Sequence, residues 1–198
     1  MAFLDPVTLT GELVTLEPLR SGHHDELVAA ASDGRLWELW YTAVPSPATM
    51  AADIESRLAL QAGGTMLPFV VRRTSDGTVV GETTYCNAEA DVPRLEIGYT
   101  WTAASAQRTG VNAASKLLLL THAFEALGCL AVEFRTHWHN HQSRTAILRL
   151  GAKQDGVLRN HRRMPDGSLR DTVVFSILDT EWPVVRSGLR HRLARAVS

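Results

Sequence analysis

The chain has 198 residues, 45% of them hydrophobic and 21% charged, which is enough apolar material for a buried core and too much for a disordered chain. Twenty basic residues against twenty-one acidic ones leave a formal net charge of −1, so the general electrostatic footprint of a nucleic-acid binder is missing. Two cysteines, Cys86 and Cys129, make no disulfide framework, the start "MAFLDPVTLTGELVTL" lacks the features of a secretory signal, and no apolar run approaches the ~20 residues of a membrane span. The expectation is a soluble, cytoplasmic protein with no membrane partner, whose overall charge gives no support for a nucleic-acid partner.

"GELVTLEPL" (11–19) alternates as a first strand ended by proline. "SGHHDELVAAAS" reads as a helix capped at Ser21, and "SPATMAADIESRLALQAGG" as a second helix stopped at Gly63–Gly64. "LPFVVRR" and "VVGETTYC" are strands joined by a hairpin at Asp76–Gly77. "RLEIGYTW" (94–101) is a third strand, whose period of two puts Glu96, Gly98 and Thr100 on one face and Leu95, Ile97 and Tyr99 on the other. A helix then starts at about Val111, with Ala113, Leu117, Leu120, Phe124 and Leu127 as its apolar stripe and Lys116, His122 and Glu125 facing outward. "LAVEFRTHW" is a strand, "NHQSRTAILRLGA" a short helix closed by Gly151, and "RMPDGSLRDTVVFSIL" a final hairpin around Asp166–Gly167. This order predicts an α/β fold of the α+β type, a mixed sheet with helices segregated by position. Without repeats or linkers, one domain is expected over 10–183, followed by a basic amphipathic tail over 184–198. The tail sets Leu189, Leu193 and Val197 four apart among Arg186, Arg190, Arg192 and Arg195, a pattern for docking on the body or on a second subunit, with RNA or an anionic surface as the lesser alternative. An edge strand and an apolar tail together suit a homodimer.

The segment "QRTGVNAASKLLLL" (107–120) places a polar glycine turn against the start of a helix. Helix N-termini expose unpaired N–H groups with partial positive charge, so an anion can complete them, with Gly110 leaving room and Arg108 adding charge. The competing reading is a turn capped by Thr109 or Asn112. No nucleotide P-loop or dinucleotide glycine pattern is present.

Gln107 and Gly110 match a [QR]-x-x-G-x-[GA] signature, from which Asn112 departs; Asn140 and Ser143 stand at N-x-x-S spacing before Leu150, Gly151 and Ala152; and "GETTY" (81–85) leads to "LEIGY" (95–99). With these motifs in this order, the sequence resembles the GNAT acetyltransferases over roughly residues 10–183, and within them the RimJ/RimL type that acetylates ribosomal-protein N-termini. The resemblance implies a mostly antiparallel twisted sheet whose splayed strands hold acetyl-CoA, and no metal. It implies coenzyme A contacts at Tyr99, Trp101, Gln107, Arg108, Thr109, Gly110, Val111, Asn112, Asn140 and Ser143, and an acceptor that is a peptide N-terminus or a small amine. Glu96 would act as base through a water, a backbone N–H within 97–101 would bind the oxyanion, and Ser143 would protonate the leaving thiolate, because Ile147 stands where many relatives carry a tyrosine. The plainer readings are an ion-paired glutamate at 96 and a helix cap at Asn140. Trp37, Glu38, Trp40 and Tyr41 are candidates for the acceptor mouth or, for the aromatics, core packing. "HWHNH" offers three imidazoles but no further ligand. The departures at Asn112 and Ile147 keep open a second class of function, a non-catalytic acyl-CoA-binding module.

Overall fold

In the computed structural model, which describes residues 3–164 and 166–197, the chain opens with β1 (Leu9–Thr10) and β2 (Val14–Pro18). Then follow α1 (His24–Ser32), α2 (Met50–Ala62), β3 (Met66–Arg73), β4 (Val79–Glu89) and β5 (Arg94–Thr102). The second half contains α3 (Val111–Thr121), β6 (Ala131–His137), α4 (His141–Leu150), β7 (Lys153–Arg163), β8 (Leu169–Leu178) and α5 (Trp182–Val197). Pro165, within the expected closing hairpin, and the side chain of Val197 with Ser198, in the expected tail, lie outside the described residues.

All eight strands join one sheet in the order β1-β2-β3-β4-β5-β6-β8-β7, antiparallel except for the parallel pair β5–β6. This is the mixed, mostly antiparallel sheet expected from the sequence. The parallel pair is short, with Arg94, Leu95 and Glu96 opposite Ala131, Val132 and Glu133. Beyond Glu96 and Glu133 both strands continue unpaired with each other, and the sheet opens as a V.

α1 packs on β4 and α2 on β3, covering one face of the first half of the sheet. On the opposite face α3 lies with Leu119 and Leu120 fully buried, above strand residues such as Tyr85, whose hydroxyl donates to the Leu119 carbonyl at 2.5 Å. α3 differs from its expected stripe. Its buried positions are Val111, Ala114, Ser115, Lys116, Leu119 and Leu120, whereas Leu117, Leu118, Phe124 and Leu127 pack at the margins. α3 has neighbours on more than one side, since it also contacts α5, β1 and β2, so its apolar surface is wider than one stripe. A π-helical turn over His122–Ala126 then shifts the phase by one residue, which a +4/+3 count cannot follow.

α5 spans the expected boundary at 183/184 and packs against α3 and α4. Trp182, Val185 and Leu189 are buried, and burying a leucine side chain fully contributes about 1.5–3 kcal/mol. The Trp182 ring stacks on Phe124 at 5.4 Å between centroids and its Nε1 donates to Glu125 at 2.8 Å. Arg192 donates to the Arg149 carbonyl at 2.7 Å, a C-terminal group of α4.

Candidate active site

Two residues of left-handed backbone shape the turn before α3: Arg108 at φ +64°, strained for a residue with a Cβ, and Gly110 at φ +92°. Thr109 does not cap the helix; its hydroxyl donates backwards to the Ala106 carbonyl at 2.6 Å. Asn112 does not cap it either, and no side chain does. The first intrahelical bond runs from Ala114 N–H to the Gly110 carbonyl at 2.9 Å, so the N–H groups of Val111, Asn112 and Ala113 are aimed out of the helix end. Glycine at 110 has a different reason from the expected one. A Cβ there would meet Leu13 and Leu193 at ordinary distances of 3.4 and 3.7 Å, on the side of β2 and α5. The left-handed backbone, rather than space for an anion, is what demands glycine.

Gln107 ties this turn to both walls of the V. Its Nε2 donates to the Thr102 carbonyl at 3.0 Å, and its Oε1 accepts from Gln142 Nε2 at 3.2 Å. Gln142 stands in the first turn of α4, whose cap is Asn140: the Asn140 Oδ1 accepts the Ser143 N–H at 3.0 Å. Ser143 is half-buried beside this cap, while Ile147 is buried in the core. The α3 turn and the α4 N-terminus therefore meet across the opening where β5 and β6 diverge.

Glu96 is the last β5 residue paired with β6, and it is buried. Its Oε2 accepts from Asn87 Nδ2 at 2.8 Å and lies 3.5 Å from Arg135. Burial pushes the carboxyl above its usual range, against the opposing pull of Asn87 and of the Arg135, Arg162 and Arg170 charges. A Cβ at Gly98 would lie 3.0 Å from Glu96 Oε1, so the missing side chain gives the carboxylate its place.

The expected alternation along β5 fails after Gly98. Thr84 faces Gly98 and Glu82 faces Trp101, leaving Tyr99 and Thr100 opposite Thr83 alone, with Tyr99 at φ +48°. This bulge reverses the faces. Thr100 leaves the Glu96 side and points to α3, where its hydroxyl bonds Thr83 at 2.8 Å and receives Lys116 Nζ at 2.8 Å. Lys116, expected outward, is 4% exposed; Nζ also donates to Thr83 at 3.0 Å, and burial pushes its pKa down to about 7. Trp101 turns toward α2, its Nε1 donating to the fully buried Glu82 at 3.1 Å. Arg57 of α2 lies 3.6 Å from Glu82, bonds Asp53 at 2.5 Å, and covers the half-exposed Tyr99 ring at 5.0 Å. Glu82, Arg57 and Lys116 were not anticipated as parts of this region. A glutamate in the middle of "VVGETTYC" was the available signal for the first; the other two depend on helix phase.

The four residues expected at the acceptor mouth separate. Trp37 packs against the core margin and Glu38 pairs with Arg35. Trp40 is 62% exposed and meets Tyr41, His137 and His139 at centroid distances of 5.5, 5.2 and 5.7 Å, which brings the α1–α2 loop onto the end of β6. The His137 and His139 rings face Trp40, and His141 is exposed in the first turn of α4.

The model of the acetyltransferase (GNAT) domain matches residues 14–153, well over half of the chain. The chain belongs to the GNAT acetyltransferase family. Among solved structures, a T. thermophilus protein described as an acetyltransferase is 32% identical, with 96% of this chain and 98% of that one covered at a TM-score of 0.83. A GCN5-related N-acetyltransferase from Brucella melitensis is 27% identical, covering 96% and 86% at 0.84. Mycobacterium smegmatis RimJ, solved in complex with CoA-disulfide, is 25% identical, covering 94% and 95% at 0.79. Comparison with curated proteins gives no match. This GNAT protein is an N-acetyltransferase and so an acyltransferase.

Proposed function

We propose that this GNAT protein transfers an acetyl group directly from acetyl-CoA to a primary amine, with no acyl-enzyme intermediate, and that it belongs to the RimJ/RimL branch, whose acceptors are protein N-termini. The observation that carries the reading is the uncapped α3 N-terminus facing the divergence of β5 and β6, with Glu96 at the last paired position. Val111, Asn112 and Ala113 N–H groups suit the pyrophosphate of coenzyme A, and the exposed Arg108 adds a charge beside them. The gap beyond Glu96 and Glu133 suits the pantetheine arm, between the α3 turn and Ser143.

An α-amine has a reference pKa of about 7.7–8.0 and is mostly protonated at neutral pH. Glu96, with its raised affinity for a proton, accepts that proton directly or through one water. The neutral nitrogen attacks the thioester carbonyl carbon. A main-chain N–H freed by the divergence, within 97–101, stabilises the oxyanion. The C–S bond breaks as the amide forms: the attacking nitrogen gives up its second proton and the departing thiolate takes one up, relayed by Ser143, the hydroxyl in the first turn of α4. Ile147 is an aliphatic residue packed in the core, so that position offers no proton donor.

The test follows free-thiol release from acetyl-CoA with peptides of varied first residue, beside polyamines, amino acids and aminoglycosides. Turnover on peptides is expected. Turnover on small amines only would overturn the N-terminal branch, and silence from every acceptor while acetyl-CoA raises the melting temperature would overturn transfer itself.

A further inference from the structure

On β8, Val173, Phe175 and Ile177 are buried toward the α3 side. The alternate residues share the face of Glu96: Ser176 pairs with Glu133, Val174 with Arg135 and Thr172 with His137. Arg170 continues that row. On the neighbouring β7 the register breaks between Leu158 and Arg162, so that Arg159, Asn160 and His161 face Asp171 alone. Asn160 sits at φ +50° with its N–H on the Asp171 carboxylate at 2.8 Å; Arg159 pairs with the same carboxylate at 2.5 Å, and His161 bonds Thr172 at 3.1 Å. This well-fastened bulge has one consequence for charge: it sets Arg162 directly opposite Arg170.

Directly opposed like charges on paired strands are destabilising. Elsewhere on this hairpin the arginines are answered: Arg159 by Asp171 and Arg163 by the Gly167 carbonyl. Neither the Arg162 nor the Arg170 side chain has an ion pair or hydrogen bond among the described residues, and the Nε of Arg170 is buried without any partner. Both act electrostatically on Glu96, and Arg170 also on Tyr99, so the pair lies on the Glu96 side of the sheet. Arg135, the third arginine near Glu96, is already shared between Glu133 and Glu96.

We infer that Arg162 and Arg170 form an anion subsite that selects an acceptor amine carrying a negatively charged group, a carboxylate or a phosphate, close to the amine. The inference rests on the reading that the acceptor approaches Glu96 from this face. Two guanidinium forks set side by side by the register match the oxygens of either anion. The anion would bind the outer nitrogens of the two guanidinium groups and relieve the opposition of the two charges, while placing the amine beside Glu96. Specificity then follows from charge, because a neutral acceptor leaves the two guanidinium groups opposed and uncompensated.

The experiment compares kcat/KM for matched peptides beginning with Asp, phosphoserine, Asn and Ser, and for glutamate against glutamine, in the wild type and in Arg170→Gln and Arg162→Gln. A charged hydrogen bond contributes about 1.5–3 kcal/mol, so the wild type should favour the anionic member of a pair by tenfold or more, and Arg170→Gln should collapse that ratio. The Asp, phosphoserine and free-glutamate arms tell which source of the anion is used. Equal turnover of anionic and neutral members by the wild type would overturn the subsite while leaving acetyl transfer intact. If no acceptor turns over, inorganic phosphate added to the acetyl-CoA-saturated protein reads the subsite alone. A melting-temperature rise in the wild type that is absent in the Arg162→Gln/Arg170→Gln double variant supports it, and identical responses overturn it. Removing opposed charges should not unfold the double variant.

Discussion

The two faces of the β4–β5 pair each bury an ionisable group, and they do so in opposite ways. Lys116 lies on the α3 face with two threonine hydroxyls and no carboxylate; Glu82 lies on the α2 face with Arg57 at 3.6 Å and the Trp101 indole. Burial drives the lysine down to about 7 and the carboxyl up to about 7, so both groups are displaced toward their neutral forms. A counter-ion on one side only has not changed that outcome, which shows that desolvation outweighs pairing here. The α3 face is closed by a helix. The α2 face opens beyond Tyr99 into a polar floor where Glu96 shares its surroundings with three arginines.

The largest expected effect belongs to that open floor. Glu96→Gln should lower kcat/KM by about 10²–10⁴, the range for a lost general base, and abolish the acidic limb of the pH–rate profile while acetyl-CoA still binds. An unchanged profile would return Glu96 to a purely structural ion pair.

On the cofactor side, Gly110→Ala should weaken acetyl-CoA binding by about tenfold or more, since a left-handed non-glycine residue costs about 1–3 kcal/mol and the turn can relax only by moving its N–H groups. Calorimetry showing unchanged affinity would remove the α3 turn from the binding site.

The buried pair then offers opposite slopes with pH. Unfolded lysine protonates as pH falls below its ordinary value near 10.5, whereas folded Lys116 resists until about 7, so stability is lost as pH falls from 10.5 to 7 and stays lost below it. Lys116→Met should therefore raise the melting temperature most at pH 7 and below, by ~2–4 °C for each kcal/mol recovered, because Thr83 and Thr100 still bond each other at 2.8 Å. Glu82 works the other way. The unfolded carboxyl ionises near 4.5 and the folded one only near 7, so stability is lost as pH rises through that window. Glu82→Gln should flatten this decline, with a smaller gain than Lys116→Met, and thermal melts of both variants from pH 5 to 9 would show the two slopes. Slopes of the same sign would break the comparison.

Much of this molecule could be read locally. The hairpin at Asp76–Gly77, the start of α3 at Val111, the Asn140 cap and the place of Glu96 on its strand all follow from short-range rules, namely turn residues, capping and alternation over a few positions. The motifs around Gln107, Gly110, Asn140 and Ser143 pointed to the family because their spacing is local as well. Beyond Gly98 the same rules gave a wrong face for Thr100, because a bulge is a property of two strands and the partner sets it. The phase of α3 departs from its local pattern for a similar reason: a helix surrounded on several sides by the sheet, β1 and α5 has no single stripe, so Lys116, outside the apolar positions, is buried all the same.

The sequence by itself therefore determined the order of elements, the turns between them and the family, since each depends on interactions within a few residues. Tertiary structure decided which side chains share the cleft. Glu82 met Arg57, Trp40 met His137, and Arg162 met Arg170 only when strands and helices distant in the chain were brought together, and no period along the sequence encodes the register of a bulged pair.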